Sequence, residues 1–188
     1  PELRRGSRVA AGGVAALAGG GRADLAGRGR TAAAAVADPA WPQIPLADLD
    51  DRPTTLGRVL AGRPALVNFW APWCERCKTE LPALDHLARQ LAGCAVVVGV
   101  AVGEDARHTA AFVHERGLVY PQVIDEQFHL ADALHESRVP TTLVIDGAGT
   151  IVYAGWAVDE PALAALRRLL DRADAGGRCH GAGAAGAT

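Results

Sequence analysis

Methionine is absent from the 188 residues, aromatic side chains make up only 5%, and charge of either sign is nearly balanced. Each scarcity removes a class of function. With 19 Lys and Arg against 21 Asp and Glu the net charge is -2, too little to hold a polyanion such as a nucleic acid by counterion release. No stretch approaches the eighteen or more strongly apolar residues that a membrane-spanning helix needs; the longest non-polar stretch near the N-terminus is made of Ala and Gly. Four cysteines are too few for a disulfide scaffold in a chain of this length, so they call for a specific chemical reading. What is plentiful is apolar surface, 49% of residues, enough for the core of one domain.

That core is unevenly distributed. Residues 1–38 contain 12 Ala, 8 Gly, six Arg and no aromatic, a mixture that buries too little surface to offset backbone ordering. A basic start (Arg4, Arg5, Arg8), a weakly apolar stretch and then Ala35, Val36 and Ala37 have the order of an export signal with a small-residue cleavage site. Residues 1–40 are therefore expected to be a low-complexity leader or linker, which would place the protein outside the cytoplasm, cleaved or tethered by that segment. Residues 174–188, with ten Gly or Ala among fifteen, are expected to be a disordered tail.

Between them, residues 41–173 alternate apolar runs with turn residues. Strands are predicted at 65–70, 94–102, 119–124, 141–145 and 150–153, and helices at 80–91, 105–116, 127–135 and 160–173. The near-continuous Val, Ala and Gly of 94–102 reads as a strand covered on both faces. Asp146, Gly147, Ala148 and Gly149 join the last two strands as a tight turn, so that pair is antiparallel. The alternation predicts a three-layer α/β/α sandwich with a central mixed sheet, closed by a hairpin and a helix.

Chemistry concentrates at Trp73-Cys74-Glu75-Arg76-Cys77, between a strand and a helix. A cysteine in the first turn of a helix feels the partial positive charge of unpaired N–H groups, which favours the thiolate. Cys74 is therefore the expected attacking sulfur and Cys77, three residues on, the resolving one. A zinc site would need a second ligand pair, and Cys94 in a strand and Cys179 with His180 in the tail supply none, so no metal is expected. A copper(I) carrier on the same paired cysteines is the non-enzymatic alternative, weakened by the missing Met and by histidines at no ligand spacing. A thiol peroxidase would want a Pro-x-x-x-Thr-x-x-Cys arrangement, which is absent.

The segment from Val67 through the two cysteines to Glu80-Leu81-Pro82, with Val139-Pro140-Thr141-Thr142 downstream, resembles the TlpA/ResA/DsbE-like family of exported thiol-disulfide oxidoreductases. The resemblance covers about residues 44–172. It implies a thioredoxin-like fold with an N-terminal hairpin and a central βα insertion. It also implies a redox-active Cys74-Cys77 disulfide with no other cofactor, and a monomer exchanging with protein thiols or disulfides and with a membrane or soluble redox partner. Reduction of apocytochrome c cysteines is the family's implied task, and disulfide formation in exported proteins its alternative. By the same resemblance Pro140 is the cis-proline that aims the Val139 backbone, with Thr141, at bound peptide. Trp70 and Trp73 are expected to form an apolar rim at the sulfurs, whereas Trp41 and Trp156 are expected to be packing residues.

Asn68 stands where cytoplasmic thioredoxins carry a buried Asp, and the family's substitute acid after the central strand falls at Glu104, assigned the proton-acceptor role near Cys77; helix capping is its bland alternative. Glu75 and Arg76 are the expected redox-tuning pair. Arg76 replaces the Pro common in the family, and with Lys78 it would stabilise the Cys74 thiolate, which leaves the direction of electron flow open.

Overall fold

Ala65–Trp70 (β4) is buried along its whole length because it lies at the centre of a sheet covered on both faces. Val96–Val102 (β5) runs parallel to it, with Asn68 opposite Gly99, and Thr141–Ile145 (β7) runs antiparallel on its other side. The computed structural model describes residues 30–31 and 38–174. The remaining strands are Arg30–Thr31 (β1), Pro45–Ala47 (β2), Pro53–Thr55 (β3), Gln122–Asp125 (β6) and Ile151–Gly155 (β8), giving the order β1-β8-β7-β4-β5-β6-β2-β3. The hairpin of β2 and β3 joins the sheet by pairing Ala47 with Ile124.

Five α-helices complete the layers: Leu56–Leu60 (α1), Glu75–Gln90 (α2), Ala106–Glu115 (α3), His129–Ala133 (α4) and Glu160–Asp174 (α5). The crossovers from β4 to β5 and from β5 to β6 step the same way across parallel strands, so right-handed connections put α2 and α3 on one face. Trp70 looks toward that face, its ring 5.3 Å from Phe112 of α3 and its Nε1 donating to Gln122 Oε1 at 3.0 Å. The core on both sides of the sheet is built from Leu56, Leu66, Phe69, Leu81, Leu84, Leu130, Leu143 and Ile145, all essentially without solvent contact. A thioredoxin-like mixed sheet with the expected hairpin and the expected β5-α3-β6 insertion is the result.

Several boundaries differ from the sequence reading for local reasons. Helix α2 begins at Glu75 rather than 80, because Cys74 is its N-cap and the cysteines lie in its first turn; it continues through Pro82, which can give no N–H to the Lys78 carbonyl. Strand β6 starts only after Pro121, since Val119 is exposed and its N–H is taken by Asp85 Oδ1 of α2 at 2.8 Å. Helix α4 is shortened at both ends, by Phe128 at φ 61° and His135 at φ 56°.

The expectation that residues 1–40 lie wholly outside the folded unit is corrected: Arg30–Thr31 pairs with Ala154 and Tyr153, and the Asp38 N–H reaches the Ala133 carbonyl at 3.1 Å. Strand β8 would otherwise be an edge with unpaired backbone groups, which accept a further strand regardless of its side chains. The proposed cleavage site at residues 35–37 and the tail with Cys179 and His180 lie outside the described residues. No helix among the described residues is long and apolar enough to cross a membrane.

Candidate active site

Strand β4 delivers the chain to its C-terminal edge, where Ala71, Pro72 and Trp73 make the turn into α2. Cys74 has extended backbone geometry as the N-cap, its N–H bonded to the Ala71 carbonyl at 3.0 Å. Its Sγ accepts the N–H of Cys77 at 3.1 Å, the place a capping oxygen fills in most helices. Cys74 and Cys77 form a disulfide. Cys74 retains 8% exposure and Cys77 none, so an incoming reactant meets Cys74 first. The sixteen residues of α2 direct their N-terminal positive pole at that sulfur.

The expected tuning charges are each set against an acid. Lys78 Nζ lies 2.6 Å from Glu75 Oε1, and this hydrogen bond, with the attraction of Lys78, holds the exposed Glu75 carboxyl below its ordinary range. Arg76 is exposed, and its field acts on Glu80.

Glu80 is the residue sequence reasoning missed. It lies one turn beyond Cys77, a spacing that places both on one side of α2. Burial raises its carboxyl above 4.5, against the opposing effects of Arg76 and the Val158 N–H, and its Oε2 is buried without a hydrogen-bond partner. The i, i+3 relation to Cys77 was visible in the sequence; the half-burial that gives it meaning was not.

Glu104 is half-buried, in the loop leaving β5 at the same end of the sheet as the disulfide. The helix-capping alternative for it is corrected: Asp105 is the N-cap of α3, its carboxylate accepting the His108 N–H at 2.8 Å.

Across from the cysteines, a cis peptide bond joins Val139 to Pro140 at the start of β7. Val139 is half-buried and shares one cleft, about 210 Å³ in volume, with Trp73 and Phe128. Thr141 is different: the residue is wholly buried and its hydroxyl donates to the Arg138 carbonyl at 2.9 Å.

Trp73 stands out at 58% exposure, but Trp70 is completely buried and belongs to the core rather than the rim, because the alternation of β4 turns it inward under α3. Trp156 reverses its expectation too: it is 43% exposed, with the Arg138 guanidinium 4.3 Å from the ring centre, whereas Trp41 is buried. Asn68 donates to Thr142 Oγ1 at 3.2 Å and keeps a buried Oδ1 without a partner. Among the described residues no group of three or more His, Cys, Asp or Glu could hold a metal ion.

The chain is 34% identical over 94 residues to the thiol-disulfide oxidoreductase ResA of Bacillus subtilis, covering 50% of this chain and 52% of that protein. It is 34% identical over 112 residues to ResA of Geobacillus thermodenitrificans, covering 58% and 63% respectively. The chain thus spans about half to two thirds of the length of these relatives. A secreted disulfide oxidoreductase of Mycobacterium tuberculosis, homologous to E. coli DsbE, superimposes with a TM-score of 0.60 over 70% of this chain and 99% of that one. At 22% identity, that likeness establishes the thioredoxin-like fold. The AhpC/TSA family model matches residues 37–154, from the strand-leading segment through both cysteines to β8, and the chain belongs to the AhpC/TSA family.

Proposed function

We propose that the protein is an exported thiol-disulfide oxidoreductase that exchanges the Cys74-Cys77 pair with protein substrates as a reductase, with the disulfide of an oxidised apocytochrome c cysteine pair as the model substrate. The observation that carries this reading is the asymmetry of the pair, a slightly exposed sulfur capping a helix and a fully buried sulfur in its first turn. The names of the ResA relatives and the export-like N-terminal composition support it.

In the reduced protein the Cys74 thiolate attacks a substrate disulfide; that S–S bond breaks and one substrate sulfur leaves as thiolate, to be protonated. The Cys77 thiol then loses its proton and attacks Cys74 Sγ, which releases the second substrate sulfur and forms the intramolecular disulfide. Two electrons have passed from the pair to the substrate, and a dithiol partner, membrane-bound or soluble, restores them by the reverse sequence. Glu80 receives the Cys77 proton in this scheme, because a half-buried carboxyl with a raised pKa and a vacant oxygen is matched to that task. Glu104 serves at the same end of the sheet as a second acceptor. Val139 offers its backbone to the substrate, held in place by the buried Pro140 and Thr141, and Trp73 supplies the apolar rim.

Electrostatics support the reductase direction. A strong oxidant needs a strongly stabilised Cys74 thiolate, and Lys78, paired with Glu75, has little charge to spare for it. The equilibrium potential of the pair in a glutathione series should fall near that of thioredoxin, about -270 mV. A value well above about -180 mV makes the protein a disulfide-forming oxidase instead. Cys74→Ser should abolish insulin reduction while Cys77→Ser accumulates mixed disulfides; turnover by the first variant refutes the assignment.

A further inference from the structure

Four large apolar side chains are exposed among the described residues: Trp73, Val119, Phe128 and Trp156. Strands β4, β6 and β8 all point the same way, so Trp73, Phe128 and Trp156, which follow their C-terminal ends, lie at the same end of the sheet as the disulfide, whereas Val119 precedes β6 at the opposite end. Phe128 is singular among them. Its backbone is left-handed, φ 61° and ψ 17°, a conformation that bulky side chains rarely adopt. Opposite it, Gly103 has φ +69°, and a Cβ there would lie 2.6 Å from Phe128 Cζ. Two uncommon backbone conformations therefore cooperate to hold one ring, 42% exposed, in place.

What that ring builds is one wall of the cleft. Trp73 lines it too, Phe69 and Val102 from the strand ends are buried beneath, and Val139 forms the edge next to Pro140. The charged residues that line it, Asp132, Glu136 and Arg138, follow one another on the segment leading to Val139, and Arg138 also lies over Trp156, so the opposite wall of Trp73, Phe128, Phe69 and Val102 is wholly apolar. We infer that this cleft is a specificity pocket for a bulky apolar side chain next to the reacting cysteine of a polypeptide substrate, and that Phe128 is its determinant. The inference rests on the oxidoreductase reading and adds the sequence preference that reading lacks. A pocket joined to the peptide-facing edge at Val139 takes the neighbour of a cysteine presented to Cys74, and an apolar lining rejects a small or charged one.

The test uses the full oxidised chain and two ten-residue peptides with Ser in place of Cys, one flanked by Phe and one by Gly, their binding followed by tryptophan fluorescence. The Phe peptide should bind at least about tenfold tighter. Phe128→Asn, which tolerates a left-handed backbone, should bring that ratio close to one, and Phe128→Tyr should preserve it. Equal binding by the wild-type chain, a tenfold ratio that survives Phe128→Asn, or Phe128-dependent dimerisation in sedimentation that shows a second copy filling the cleft, each overturns the inference. The matching cysteine peptides, as mixed disulfides with nitrothiobenzoate, are then offered to the reduced chain. If neither exchanges, the oxidoreductase reading fails while the binding ratio still reports on the cleft.

Discussion

Gly99→Ala tests how the core supports the site. Gly99 lies in β5 between Asn68 of β4 and Gln122 of β6, and a Cβ built there would meet Gln122 Oε1 at 1.9 Å and Trp70 Nε1 at 2.8 Å. Those two atoms are the ends of the buried Trp70–Gln122 hydrogen bond, so the methyl cannot be admitted without parting them. Overpacking of a close-packed interior costs about 1 to 3 kcal/mol, and loss of the bond adds roughly 0.5 to 1.5 kcal/mol. The expected destabilisation is thus about 2 to 4 kcal/mol, read as a lower urea midpoint at unchanged slope. Gln122→Ala alone should cost roughly 1 to 3 kcal/mol by stranding the Trp70 N–H in the core. In the double variant the added methyl occupies space that Gln122 has vacated. Its loss should fall short of the sum of the single losses by about 1 kcal/mol or more, the signature of a shared contact. Strict additivity, or a Gly99→Ala loss below about 0.5 kcal/mol, would refute the claim that this glycine exists to admit the Trp70–Gln122 pair.

Three further variants probe the site and its support. Glu80 has a folded-state pKa above its ordinary 4.5, chiefly through burial, so the native state holds the proton more tightly than the unfolded one and stability falls as pH rises from about 4.5 through the raised value. Glu80→Gln should remove that slope in urea unfolding and slow resolution of the mixed disulfide about a hundredfold, with Glu104→Gln slowing it less; an unaltered pH–rate profile in Glu80→Gln would dismiss Glu80 as proton acceptor. Asp85 behaves oppositely: burial raises its carboxyl, but the Val119 N–H and Arg89 outweigh that and leave it below 3.8. The stability Asp85 contributes is therefore present above about pH 4 and lost as pH falls through the depressed value, so Asp85→Asn should cost roughly 1 kcal/mol at neutral pH and little in acid. A loss that persists unchanged at pH 2 would show that the charge is not involved.

The elements legible in the sequence were those fixed by local pattern. Thr141–Ile145 ends where Asp146 and the glycines enforce a turn, and α5 carries an amphipathic repeat long enough to outweigh its neighbours. Where tertiary contacts decide, the pattern misleads. The apolar appearance of 119–124 suggested a strand throughout, but Asp85, 34 residues earlier, captures the Val119 N–H and Pro121 offers none. Trp70 and Trp73 are three residues apart and chemically identical; only the pleat of β4 and the turn after it send one under Phe112 and the other into solvent. The short pairing of Arg30–Thr31 with β8 was illegible for the opposite reason, because a backbone ladder at a sheet edge asks nothing of side chains.

The site itself divides along the same line. Cysteine spacing and helix placement are local facts, and the structure places Cys74 at the N-cap with slight exposure and Cys77 fully buried in the first turn. Its electrostatics are not local. Counting Arg76 and Lys78 as free cations near the sulfur predicts an oxidant, but Lys78 closes on Glu75 within the same turn and the field of Arg76 is met by Glu80. What remains to favour the Cys74 thiolate is the N-terminal pole of α2 and the Cys77 N–H, both present in any helix capped this way. Glu75 then tunes the pair by holding Lys78, and replacing Glu75 with a neutral residue would release Lys78 toward the sulfur. That change moves the potential upward, toward oxidation, without touching either cysteine.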